Sequence, residues 1–245
     1  MKFLIKKIYI ILLLLIILLL DTNVFARDGK NQYAREDISN YFLGIISASQ
    51  DYNNEAFGYL KKVQSIKNKH SQFNIEFIRT LILLEKFKKA FVFSKDVWTE
   101  EELFFEADLL LGLNSFIKKD YASAEKYFER LNQISRYNLV FDNFIGNVLI
   151  AWVKAAQGNE EESFKSLNKI SRPYHQMKKI QNIFLQCYFD SNNTQKSLEK
   201  LIENEDYNFS RYNFFLINYL LSKNKIAEAK KIIQNSRRKY SSNLL

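Results

Sequence analysis

A small residue returns along this chain at nearly constant intervals, and that period restricts the fold more than anything else in the sequence. Ala56, Ala90, Ala124, Ser163, Ser197 and Ala229 are separated by 34, 34, 39, 34 and 32 residues. Twelve residues before each of them stands Gly44, Ile78, Gly112, Ala151, Leu185 or Ile217. A fixed period in this range marks stacked supersecondary units, none of which can bury its apolar face alone. The single long interval predicts a short insertion near Ser135 to Phe141.

Residue types within the period say what each unit is. Polar stretches such as Gly158-Asn159 and Asn192-Asn193 separate two apolar segments. Downstream of the turns, Leu60 and Val63, Phe128 and Leu131, and Leu167 and Ile170 recur three apart, the spacing of one helical stripe. Leu201 and Ile233 continue it in the last two units. Each unit therefore reads as a helix, a tight turn and an antiparallel helix. The small residue sits where the two helices cross closest, and a large side chain there would force them apart. The apolar residue before each of Gly44, Ile78, Gly112, Ala151, Leu185 and Ile217 is expected to pack into its pair. Thr99 to Glu102 has the pattern of a capping box opening the third pair. With only 6 Gly and 1 Pro, turn-rich β and most α/β folds are disfavoured. The fold class is all-α, a solenoid of about six antiparallel helix pairs.

This arrangement resembles the tetratricopeptide repeat family. Leu43-Gly44 with Ala56, and Leu111-Gly112 with Ala124, carry the resemblance most fully, and it covers residues 37 to 240. Departures are that the tryptophan and tyrosine expected in the first helix are mostly missing, that Ser94 and Asn204 stand in place of bulky apolar residues, and that no proline closes each repeat. The resemblance implies a right-handed superhelix whose first helices line a concave groove. It implies a non-catalytic scaffold that binds another protein or peptide there. The groove stripe is expected to hold Tyr41 and Ile45, Ile75 and Arg79, Leu109, Leu113 and Phe116, then Val148 and Trp152. Lys179, Asn182, Gln186 and Phe189 follow, then Arg211, Phe214 and Asn218. The groove would be apolar in its first two thirds and polar and basic beyond. Each aliphatic residue there can equally serve as filling between helices, whereas Trp152, Tyr41 and Phe116 are the stronger contact candidates.

The N-terminus has the layout of a signal peptide. Lys2, Lys6 and Lys7 precede the 13-residue apolar run Ile8 to Leu20, and Val24-Phe25-Ala26 offers a cleavage site. Thirteen apolar residues fall short of the ~20 that span a bilayer. Residues 1–26 are thus expected to be a cleaved signal, 27–36 a short linker, and 37–245 the solenoid, exported to a periplasm or secreted. The membrane would be met only through an uncleaved segment. Loss of three lysines and Asp21 lowers the net charge from +9 to +7. The lysines are dispersed along the chain, which argues against nucleic acid as a partner.

No motif for chemistry stands out. Cys187 is the only cysteine, so no intramolecular disulfide can form, and its apolar surroundings predict a buried, inert thiol. His70 and His175 fall in or near connections. No paired-cysteine or His-Glu-x-x-His pattern offers a metal site, no cofactor is implied, and three Ser-x-x-Lys spacings match chance in a lysine-rich helical chain. Glu160-Glu161-Glu162 reads as a helix start favoured by the dipole. Ser241 to Leu245 resembles the opening of a further helix, so truncation or self-association at the C-terminal face is expected. Two alternatives stay open beside the scaffold: a helical accessory region of a cell-wall enzyme, and a carrier of apolar ligands.

Overall fold

Apolar residues three and four apart, separated by short polar turns, produce helices joined in pairs. The computed structural model describes residues 34–67, 69–135, 143–203 and 212–239. Among these residues there are twelve α-helices and no strand. They are α1 (Arg35–Ser49), α2 (Asn53–Leu60), α3 (Ser71–Leu83), α4 (Phe87–Val97), α5 (Phe105–Ile117) and α6 (Tyr121–Ser135). Then follow α7 (Phe144–Ala156), α8 (Glu160–Asn168), α9 (His175–Tyr188), α10 (Thr194–Ile202), α11 (Asn213–Ser222) and α12 (Ile226–Lys239). Each helix packs on its neighbours in sequence, and α1 on α3, α3 on α5 and α7 on α9 pack first helix to first helix. This is the α-solenoid of six helix pairs that the period predicts. Helix α1 begins within the stretch expected to be linker. The signal segment, residues 136–142 of the long interval and the last six residues lie outside the described residues.

One conformational device recurs in all six pairs. The turn carries a residue in the left-handed region: Asp51, Glu85, Lys119, Gly158, Asp190 and Asn224, with φ between 55° and 79°. The next N–H returns to the carbonyl five residues earlier, as in Tyr52 to Ser47 (2.9 Å), Asp120 to Ser115 (2.9 Å) and Lys225 to Leu220 (2.9 Å). Those bonds satisfy carbonyls that a helix end leaves open. Only Gly158 is a glycine, so five of the six turns hold an L side chain in a conformation costing about 1–2 kcal/mol.

The crossings match the expectation closely. Ala56, Ala90, Ala124, Ser163 and Ala229 are fully buried. A Cβ on Gly44 would lie 2.6 Å from the Leu60 side chain, and one on Gly112 would lie 2.3 Å from the Phe128 ring. Ser163 turns its polarity to use, its hydroxyl donating to the Ala151 carbonyl at 2.9 Å. Leu60, Val63, Phe128, Leu131, Leu167, Ile170 and Leu201 are buried on the second-helix stripe. Leu43 departs from its expected role and is exposed, because no described helix precedes α1 to cover that side.

The fifth pair requires a correction. In the other five, the left-handed residue follows the crossing residue by seven: Gly44 to Asp51, Ile78 to Glu85, Gly112 to Lys119, Ala151 to Gly158, Ile217 to Asn224. Counting back from Asp190 gives Ile183, not Leu185. Ile183 packs with Leu198 and Leu201 of its own second helix, whereas Leu185 packs back on Ala151, Ala155 and Leu167 of the fourth pair. Ser197, expected at the crossing, is only half-buried; Thr194 is fully buried there instead, with Leu198 and Leu201 spaced from it as Leu60 and Val63 are from Ala56.

A second correction concerns the third pair. Thr99 does accept from the Glu102 N–H at 3.2 Å, but it closes a turn in the connection, and α5 starts later, at Phe105. There Asp108 reaches back instead and accepts from the Phe104 N–H at 3.3 Å.

Candidate functional site

On a helix, residues three and four apart share a face, so the crossing residue fixes which side chains line the row of first helices. Four residues before each crossing residue lies a polar side chain: Asn40, Asn74, Asp108, Asn147, Lys179 and Asn213, at intervals of 34, 34, 39, 32 and 34. The first four are buried. Asn74 donates to the Lys67 carbonyl at 2.8 Å, tying α3 to the connection before it. Asn147 donates to the Asn143 carbonyl at 2.8 Å and accepts from Asn132 of α6 at 3.3 Å. Sequence reasoning missed this ladder, although its first three intervals repeat those of the small residues.

Asp108 is the most elaborate rung. Its side chain is fully buried and pairs with Arg130 of α6 at 2.8 Å. It also accepts from the Trp98 indole N–H at 2.6 Å. Arg130 in turn donates to the carbonyls of Thr99 (3.0 Å), Glu100 (2.8 Å) and Glu102 (2.6 Å). Its guanidinium stacks 4.9 Å from the Trp98 ring. Every partner belongs to the fold or to the connection it pins, so this buried pair is structural.

The predicted row holds its shape over the first four pairs. Tyr41 is half-buried, 4.7 Å from the His70 ring, and burial together with Glu76 raises its phenol pKa. Ile45 and Ile75 pack on the first core cluster. Arg79 is exposed but bridges first helices, 2.7 Å from Glu106 of α5 and 3.4 Å from Glu76. Leu109, Leu113 and Phe116 are half-buried against the core of Ala124 and Phe128. Trp152 is half-buried, and its indole donates to Gln181 of α9 at 3.0 Å.

From the fifth pair on, the two-residue shift changes which residues belong. Lys179, Asn182 and Gln186 leave the row and line a separate groove against α10, with Ser197 and Lys200. Met177, Ile180, Phe184 and Cys187 take the register positions expected of Lys179, Asn182, Gln186 and Phe189, with Tyr188 beside them. The polar, basic end of the row is thereby replaced by an aromatic one. Trp152 meets Tyr188 at 5.8 Å, and Phe184 meets Phe215 of α11 at 4.9 Å. Tyr188 is 55% exposed and Phe214 66%. Asn218 is exposed beside them, and Arg211 lies outside the described residues.

Cys187 is exposed, not buried. The run Ile183 to Phe189 is apolar but for Gln186, yet only Ile183 and Leu185 of it are buried. Desolvation by its neighbours, then the Asp190 carboxylate, push the thiol pKa up, and Lys223 opposes them. Among the described residues no group of three His, Cys, Asp or Glu could hold a metal ion.

Six pairs with a left-handed turn, a close crossing and a row of first-helix side chains define an all-α solenoid. No family model matches the chain, and no curated protein matches it. Among solved structures it is similar to the crystal structure of MamA protein, at 14% identity and a TM-score of 0.42, over 86% of this chain and 96% of that one. That degree of likeness carries over neither function nor site.

Proposed function

We propose that this chain is a non-catalytic scaffold that receives a polypeptide along its row of first helices. The observation that carries the reading is the aromatic run Trp152, Tyr188, Phe184, Phe215 and Phe214, which crosses three helix pairs and stays partly open to solvent. Aromatic side chains give large contact area at low entropic cost and dominate binding energy where they cluster. The tetratricopeptide-like period supports the same use of the first helices. Export rests on the Lys2 to Ala26 segment, and N-terminal sequencing of the mature protein should start at Arg27. No helix among the described residues is long and apolar enough to cross a membrane.

The binding reading is tested by crosslinking in the native compartment and recovering partners of the wild type, of Trp152→Ala/Phe184→Asp and of Lys165→Glu. One polypeptide should be lost with the row variant and retained with Lys165→Glu, which alters an exposed residue of α8. A partner retained by both variants moves the site elsewhere on the solenoid. Recovery of lipid with no protein replaces the scaffold by a carrier.

A further inference from the structure

The groove between α9 and α10 stands apart from the row, with a volume of about 330 Å³. It is lined by His175, Lys178, Lys179, Asn182, Gln186 and Lys200, among others, and none of the described residues lining it is a carboxylate. Lys179 occupies the register position that a buried Asn or Asp fills in the first four pairs. At Asn74, Asp108 and Asn147 the side chain is answered by a backbone carbonyl, a partner amide or Arg130. Here neither Lys179 nor Lys200 has an ion-pair partner among the described residues, and Lys178 makes only a 3.5 Å contact with the Asn168 carbonyl. Three cations in one concavity repel one another until an anion joins them.

A second observation narrows the ligand. Gln186 lines the same groove, and its side-chain carbonyl oxygen is buried without a hydrogen-bond partner. An unmet buried acceptor costs about 1–3 kcal/mol, so the group calls for a donor. Gln186 lies seven residues from Lys179, about 10 Å along the helix at 1.5 Å per residue. A ligand that meets both groups must therefore carry anionic groups and an N–H donor along a helix face that rises about 10 Å. An inorganic anion is too small to do both. An extended polypeptide covers that distance in about three residues.

We infer that the groove between α9 and α10 binds an acidic polypeptide segment, with Lys178, Lys179 and Lys200 taking its carboxylates and Gln186 a backbone N–H. The inference deepens the scaffold reading and rests on it, but it places the contact beside the aromatic row. In the assay, a fluorescein-labelled octaglutamate peptide is titrated with the purified protein and followed by anisotropy. The Lys178→Ala/Lys179→Ala/Lys200→Ala variant should bind about tenfold more weakly, and binding should fall as salt rises. Gln186→Leu should weaken the peptide as well. Lys88→Ala/Lys95→Ala/Lys165→Ala, which removes the same charge elsewhere, should not. Equal loss in both triple variants would reduce the effect to net charge and overturn the inference. So would full displacement of the peptide by millimolar inorganic phosphate, or a triple-lysine loss seen only with phosphatidylglycerol vesicles. A negative result in this assay alongside a partner still crosslinked through the row would remove the groove and keep the scaffold.

Discussion

Replacing Arg130 with methionine leaves the Asp108 carboxylate fully buried, with Trp98 and the Phe104 N–H as its remaining partners. The same change strips the carbonyls of Thr99, Glu100 and Glu102 of their donor. Removing one partner of a buried ion pair costs about 3–5 kcal/mol, mostly as an uncompensated charge. For a chain of this length that is a fall of roughly 6–20 °C in Tm. Asp108→Asn should cost less, because Arg130 keeps three backbone acceptors and an amide can still accept from Trp98. The double variant Asp108→Asn/Arg130→Met should recover part of the Arg130→Met loss, giving a coupling energy above about 1 kcal/mol. Urea and thermal unfolding of the four proteins measure this, and hydrogen exchange at residues 98–104 reports the connection directly. A loss below about 1 kcal/mol for Arg130→Met, or strict additivity of the pair, would refute the view that this rung pins the third pair.

Three other outcomes follow from local geometry. Gly112→Ala should destabilise by about 1–3 kcal/mol through overpacking on Phe128, whereas Gly58→Ala, where a Cβ meets nothing within 4 Å, should gain up to about 1 kcal/mol; chemical denaturation of both separates crossing from propensity. In the turns, Lys119→Gly should stabilise by about 1 kcal/mol and Gly158→Ala should destabilise by about as much, since φ is +62° and +79° at those positions. Cys187 should alkylate more slowly than free cysteine at pH 8, because a raised pKa lowers its thiolate fraction. Asp190→Asn, which removes a negative charge, should lower that pKa and speed the reaction with iodoacetamide.

The pairs were legible because the crossing admits only small side chains, and that demand writes a period into the sequence. Ala56, Ala90 and Ala124 needed no more than counting. The fifth pair misled because Leu185 and Ile183 are both apolar and stand two apart. The left-handed Asp190 separates them, but Asn192 and Asn193, which enter that conformation as readily, stand two and three residues further on. One misplaced register moved Lys179, Asn182 and Gln186 onto the row and Phe184 off it. The buried ladder was hidden for a different reason. Asn40, Asn74 and Asn147 look like solvent-facing polar residues until tertiary packing buries all three and gives Asn74 and Asn147 backbone or amide partners. Cys187 failed on the same footing as Leu43: an apolar neighbourhood in sequence does not supply a helix to cover it.

The ladder has a consequence for how the solenoid bends. Asn74 and the Asp108–Arg130 pair bind their helices to the connections before them, and Asn147 joins the third pair to the fourth, so sliding between these pairs breaks directional bonds. At the fifth pair the rung is Lys179, which bonds to neither neighbour, and apolar side chains such as Leu185 can slide over their partners at small cost. A directional tie left there is the 3.0 Å hydrogen bond from Trp152 to Gln181, beside the edge-to-face contact of Trp152 with Tyr188, so bending near α9 turns on that bond. A polypeptide lying across that junction would bridge a stiff segment and a compliant one, and its grip would set the angle between them.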